Sequence, residues 1–340
     1  MSAVVTEETN TTIPRTRPAD GARLLRPMIR QSPEPVEIGL INNMPDTALE
    51  ATERQFSDLL RAAAGGIPLH LTSYAMPGIA RTEKGQHYVN SCYAPIADLW
   101  DRPIDALIIT GTEPRMADLR DEAFWTVLGD VLDWAEDHTV STIVSCLAAH
   151  AAVLHFDGIE RHPLPDKCFG VFEQDIVGKH PAVECLPPRF RIPHSRWNEV
   201  RYDALQSCGY QVVTHSADAG VDLFIKQRKA LFLFFQGHPE YEPSVLLKEY
   251  KRDVGRFLRA ERQNYPNMPK GYFDAATITC LARFRERALG HPREELLAEF
   301  PALSDPSTAF TAQTSPAVPI YRNWLSHIFQ RKAERRFSPV

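Results

Sequence analysis

Continuous apolar runs alternate along this chain with stretches whose apolar residues recur every three to four positions, which predicts a mostly parallel sheet with helices on both faces. Val36 to Ile41 reads as the first strand, with Asn42 to Asp46 as the turn after it. Asp46 or Thr47 caps a helix from about Ala48 to Ala64, with Leu49, Phe56, Leu59 and Leu60 on one face, and Gly65-Gly66 stops it. Leu69 to Tyr74 resumes as a strand and completes a β-α-β unit. Residues 75–100 carry Pro77, Gly78, Gly85 and Pro95 with little periodicity, so a long loop is expected there, then a short helix near Ile96 to Trp100. Ala106 to Thr110 is a buried strand, Asp121 to His138 an amphipathic helix, Val140 to Val144 a strand and Leu147 to Phe156 a helix.

Between residues 160 and 200 prolines break up any helical pattern, and short strands and loops over the mouth of a site are expected. Tyr210 to Ser216 and Asp222 to Lys226 read as a strand pair. They feed an almost wholly apolar run from Ala230, the pattern of a central strand, which stops abruptly at Gly237-His238-Pro239-Glu240. Pro243 to Ala260 is helical, with Val245, Leu246, Tyr250, Val254 and Leu258 facing a core; Thr277 to Leu289, Arg293 to Phe300 and Ile320 to Arg331 are further helices. The Thr-, Pro- and Arg-rich residues 1–34 read as a mobile arm, 35–330 as a single α/β domain and 331–340 as a tail.

Composition narrows the class. An apolar content of 44% over 340 residues supports a substantial core, and a net charge of −5 offers no basic face for nucleic acid. Six scattered cysteines without a C-x-x-C pair argue against a zinc knuckle or a disulfide framework, so no metal site is expected and a reducing cytoplasm is the expected location. The first ten residues carry acids where a secretory signal would carry bases, and no uncharged apolar run is long enough to span a membrane.

Cys146 falls where a strand gives way to a helix. Such a turn lifts a side chain above the sheet edge, and the free N–H groups of the helix start favour a thiolate and a developing oxyanion, with Leu147 N–H as one donor. Gly111, at the end of another strand, lets backbone approach a ligand; it serves either a tight turn or this site. Pro239 keeps His238 extended, which brings the side chains of His238 and Glu240 to one side, as base and orienter. His150, one helical turn from Cys146, is a rival base without an evident orienter.

The motifs I-N-N-M-P (41–45), I-I-T-G-T-E-P (108–114), S-T-I-V-S-C (141–146), G-V-F-E (170–173), P-H-S-R (193–196), G-H-P-E-Y (237–241) and E-Y-K-R-D-V (249–254) occur in one order over roughly residues 36–330. In that order they resemble the homoserine O-acyltransferases of the MetA type, on the class I glutamine amidotransferase-like, flavodoxin-like fold. The resemblance implies an acyl-CoA co-substrate, no permanently bound cofactor, homoserine as acceptor, a homodimer and a place in methionine biosynthesis. It places Lys167 and Ser195 against the amino-acid substrate, with Glu249 for its ammonium and Arg252 for its carboxylate. Acyl choice in the family turns on one residue in the loop after the T-G strand. Ungapped counting brings Arg115 there, and a guanidinium suits a succinyl carboxylate better than an acetyl group. The chain departs from the family in having Leu147 and His150 after the nucleophile and Asp46-Thr47 where a lysine is usual. A hydrolase of the same fold, such as a glutaminase, and serine as acceptor stand as alternatives. The absence of glycine beside Cys146 disfavours the hydrolase.

Overall fold

The computed structural model describes residues 34–303 and 315–337, so most of the expected N-terminal arm and the last three residues lie outside it. The chain runs β1 (Val36–Ile41), α1 (Asp46–Ala63), β2 (Leu69–Tyr74), α2 (Glu83–Cys92), β3 (Ala106–Ile109), α3 (Trp125–His138), β4 (Ser141–Ser145) and α4 (Leu147–Asp157). It continues through β5 (His162–Ile176), β6 (Arg189–Glu199), α5 (Tyr202–Ser207), β7 (Gln211–Val212), β8 (Thr214–Ser216), β9 (Gly220–Val221), β10 (Leu223–Gln227) and β11 (Leu231–Phe235). Three helices close it: α6 (Val245–Leu258), α7 (Ala275–Gly290) and α8 (Ala317–Phe337).

The main sheet has the order β2-β1-β3-β4-β11-β10-β7, parallel from β2 to β11 and antiparallel at β10 and β7. Its strands are apolar on both faces because helices cover both. In β11, Phe232 and Phe234 join the core beneath α3 and α4, while Leu231, Leu233 and Phe235 join the core beneath α1 and α8. Helix α4 is buried from Leu147 to Leu154, and its alanines let it lie close to the sheet. Trp324 on α8 is fully buried, and its Nε1–H donates to Ser141 Oγ (2.9 Å), whose own hydroxyl donates to Leu231 O (2.7 Å). The last helix is thereby tied to β4 and β11 together.

Four expectations needed correction. Residues 75–100 are not one long loop: Thr82 accepts the Gly85 N–H as an N-cap and starts α2 inside that stretch. The segment expected as short strands and loops is instead a long hairpin, β5 with β6, in a second, antiparallel sheet of order β6-β5-β8-β9. Its prolines are accommodated because β6 is an edge strand and because the β5 register is irregular between Pro163 and Cys168. The expected strand Tyr210 to Ser216 is divided at Val213, β7 pairing in the main sheet and β8 in the second. Arg293 to Phe300 forms a 3-10 helix over Glu294–Glu299. A third apolar cluster joins Phe169 and Val171 of the hairpin to α6 and α7. Among the described residues no helix is long and apolar enough to cross a membrane.

Trp324→Ala removes a fully buried indole and leaves its cavity against β4, so it is expected to destabilise the protein by about 3–5 kcal/mol, read as a lowered urea midpoint.

Candidate active site

The parallel register of β4 and β11 brings two chain turns side by side, since Ser145 pairs with Phe235 and each strand ends there. Cys146 follows Ser145 with φ 54° and ψ −115°, a left-handed conformation that costs a non-glycine residue about 1–3 kcal/mol. Hydrogen bonds fix it: its N–H donates to Phe235 O (2.7 Å), and its carbonyl accepts from Ala149 N–H (3.0 Å) and His150 N–H (3.2 Å). The sulfur is thus held at the carboxyl edge of the sheet, at the start of α4. Gly111 ends the neighbouring strand, and a Cβ there would stand 2.8 Å from Leu147 N and 3.2 Å from Ser145 O. Close approach, not a positive φ, therefore demands glycine at 111.

After β11 the chain turns through Gly237 to His238. Gly237 N–H donates to Asp222 Oδ1 (2.7 Å), and a Cβ at 237 would strike Ile192, Asp222 and His194. His238 N–H donates to Pro193 O (2.8 Å), so the histidine turn covers the open edge of β6. The imidazole Nδ1–H donates to Glu240 Oε1 (2.8 Å), the ring stacks on Tyr241 at 4.2 Å, and it lines the same cleft as Cys146. Burial disfavours the charged ring, but the Glu240 carboxylate and the Cys146 sulfur together outweigh it and raise His238 well above its ordinary value. Burial pushes Asp222, behind this turn, up to about 6, against the Gly237 N–H and the charges of Arg196 and His238.

The structure brings Cys146, Leu147, Gly111, His238, Lys167, Ser195, Glu249 and Arg252 around one cleft of about 180 Å³, with Glu240 behind His238. Glu249 on α6 is the hub: Oε2 accepts from Ser195 Oγ (2.5 Å) and Lys167 Nζ (3.4 Å), and Oε1 from Tyr241 OH (2.8 Å). Asp253, one turn further along α6, accepts from Arg252 Nε (3.0 Å) and Nη2 (2.9 Å) and from Lys167 Nζ (3.4 Å). Burial works against its charge, yet Lys167 and Arg252 hold its carboxyl below the usual range. Tyr241 and Asp253 were not singled out from the sequence. The i, i+4 spacing of Glu249 and Asp253 was the available signal for one of them.

Two residues stand elsewhere. Arg115 is exposed and lines a neighbouring cleft that shares Pro45, Thr112, Glu113 and Pro114 with the first; its backbone N–H donates to Glu122 Oε1 (2.5 Å). His150 is buried, with Nε2–H donating to Gln236 Oε1 (2.9 Å), and burial, with Arg196 nearby, depresses it to about 3. A neutral ring committed to Gln236 braces α4 against the end of β11 and is a poor base at neutral pH. Among the described residues no cluster of His, Cys, Asp and Glu is arranged to hold a metal ion.

The sequence profile described as homoserine O-succinyltransferase matches residues 26–334. The homoserine O-succinyltransferase of Rhodopseudomonas palustris is 47% identical over 290 residues, covering 85% of this chain and 87% of its own. That of Methylorubrum extorquens is 40% identical over 305 residues, covering 88% and 91%. Among solved structures, a glutamine amidotransferase from Thermotoga maritima aligns with a TM-score of 0.48 at 10% identity, over 87% of this chain and 99% of that one.

Two outcomes follow from the site's electrostatics. A base beside a thiol takes its proton as the sulfur attacks, so His238→Asn should slow alkylation of Cys146 by iodoacetamide at pH 7 roughly tenfold or more, with exposed Cys92 and Cys185 unchanged, as read by peptide mass spectrometry. His150 titrates near 3 in the fold against an ordinary 6.5, so between these pH values the unfolded chain binds a proton that the folded chain excludes. Stability from this group is intact above 6.5 and is lost as pH falls toward 3, by at most about 1.4 kcal/mol per pH unit. His150→Asn should give a shallower loss over that window in urea titrations.

Proposed function

This chain belongs to the homoserine O-succinyltransferase family, and on that footing we propose that it carries a succinyl group from succinyl-CoA to the hydroxyl of L-homoserine through a thioester on Cys146. It is an acyltransferase of methionine biosynthesis. The observation that carries the mechanism is the Cys146–His238–Glu240 alignment, set by the β4–β11 register and opening on a cleft whose far wall holds Glu249 and Arg252.

In the first half-reaction the Cys146 thiolate attacks the thioester carbonyl. The Leu147 N–H faces the developing oxyanion, with the Gly111 backbone packed beside it, and CoA departs with the His238 proton. The sulfur is now a neutral thioester. Of the two charges that hold the imidazole protonated, one has gone, so the ring is a readier base when the acceptor arrives. His238 then takes the homoserine hydroxyl proton, the oxygen attacks the acyl carbon, and Cys146 leaves as a thiolate beside a restored imidazolium. Glu240, bonded to Nδ1–H, keeps the other ring nitrogen toward the sulfur through both halves.

The amino-acid end of homoserine fits the α6 wall. Glu249, to which Ser195 and Lys167 donate, receives the ammonium, and Arg252 receives the carboxylate. Asp253 shares Arg252 and Lys167, which keeps the two cations placed without satisfying them fully. The same reading makes residues 35–330 the catalytic domain, with no resident cofactor, in a reducing cytoplasm where the cysteine stays free, and in a homodimer as the family resemblance implies.

Brief exposure of the protein to succinyl-CoA without homoserine should add one succinyl mass to the Cys146 peptide, and homoserine should remove it. Cys146→Ala should abolish both events, whereas acyl loss to water at the same rate without homoserine would make the enzyme a hydrolase. Arg252→Ala should raise the KM for homoserine roughly 30-fold or more while kcat changes little, because the contact is equal in ground and transition states.

A further inference from the structure

One charged side chain in the wall of the Cys146 cleft has no part in the chemistry or in holding the amino acid. Arg161 follows the left-handed cap of α4 at Gly158 and buried Ile159, and precedes β5. Its Nη2 donates to Ala117 O (3.1 Å), while its Nη1 is buried without a hydrogen-bond partner. The nearby acids are otherwise engaged: Glu122 Oε1 takes the Arg115 and Met116 N–H groups (2.5 and 2.8 Å), and Asp118 and Glu160 pair with Arg120 (2.9 and 2.7 Å). Among the described residues Arg161 has no ion-pair partner, and burial lowers its pKa against the pull of these three acids. A guanidinium stays charged even so. A guanidinium in the wall of a ligand cleft, with one buried nitrogen unbonded and no acid paired to it, suits an anion from the ligand.

Its position fits one part of the substrate. Arg161 lines the same cleft as Cys146. An extended four-carbon dicarboxylic acyl group carries its free carboxylate about 5 Å away from the sulfur that holds its other end, toward the cleft wall. An acetyl group ends at its methyl and offers that wall no charge. Arg115, the candidate from linear counting, faces the neighbouring cleft.

We infer that Arg161 is the acyl-specificity residue, its guanidinium holding the free carboxylate of a succinyl group while the other end is bound as the thioester on Cys146. The loop after β3 takes part through Ala117 O, which steadies the guanidinium from the opposite side.

This inference rests on the Cys146 acyl-enzyme. The test is kcat/KM with succinyl-CoA and with acetyl-CoA for the wild type, Arg161→Gln, Arg161→Lys and Arg115→Gln, together with the mass on Cys146 after exposure to an equimolar mixture of both thioesters. Arg161→Gln should lose roughly 100-fold with succinyl-CoA and less than about threefold with acetyl-CoA. Arg161→Lys, which keeps the charge without the fork and is the milder change for folding, should fall between, and the mixture should shift from succinyl toward acetyl enzyme in both. Equal losses with both donors, no change, or the selective loss appearing in Arg115→Gln instead would overturn the assignment. A wild type that forms no thioester on Cys146 with either donor would defeat the parent reading itself, a result distinct from all of these.

Discussion

The hydrogen bond from Cys146 N–H to Phe235 O is the constraint on which the site depends. It is the last rung of the parallel β4–β11 ladder, and it fixes how far two chain segments nearly ninety residues apart have advanced when each leaves the sheet. A slip of one residue would turn Cys146 to the opposite face and carry it away from His238. Burial of β11 on both faces is what forbids the slip, because Phe232 and Phe234 fit one core and Leu231, Leu233 and Phe235 the other. The geometry of the cleft is here a by-product of core packing.

The cleft joins two unlike sheets. The parallel sheet places Cys146 and His238 at its carboxyl ends, where ligands of such sheets bind. The antiparallel hairpin β5–β6 supplies Lys167 and Ser195 and is held over that edge by the Pro193 O to His238 contact and by the apolar cluster under α6 and α7. Lys167 and Ser195 thus come from elements that meet Cys146 only in the finished fold. Glu249, taking donors from β5, β6 and Tyr241 at once, is where that convergence is registered.

What the sequence disclosed follows the range of the interactions concerned. The strands and helices around Cys146 were legible because burial on both faces writes itself as apolar runs, and His238 with Glu240 because an extended backbone pairs residues two apart. Lys167, Ser195, Glu249 and Arg252 were reached only through family resemblance, since nothing local distinguishes them from surface residues. Prolines 163, 165 and 193 concealed the long hairpin, because edge pairing and an irregular register cannot be read from composition. His150 looked like a base by spacing, and only its bond to Gln236, eighty-six positions away, reveals a brace. Arg115 was reached by counting and Arg161 was passed over, because which guanidinium faces the cleft depends on how α4 returns into β5.

The left-handed backbone at Cys146 sets the protein's durability against its purpose. Glycine would occupy that turn without steric penalty, so the replacement that best relaxes the scaffold is also one that deletes the sulfur. Screening variants for heat resistance alone would therefore drift toward a sturdier protein without this sulfur, and any hardening that keeps it has to be sought in elements remote from the bend.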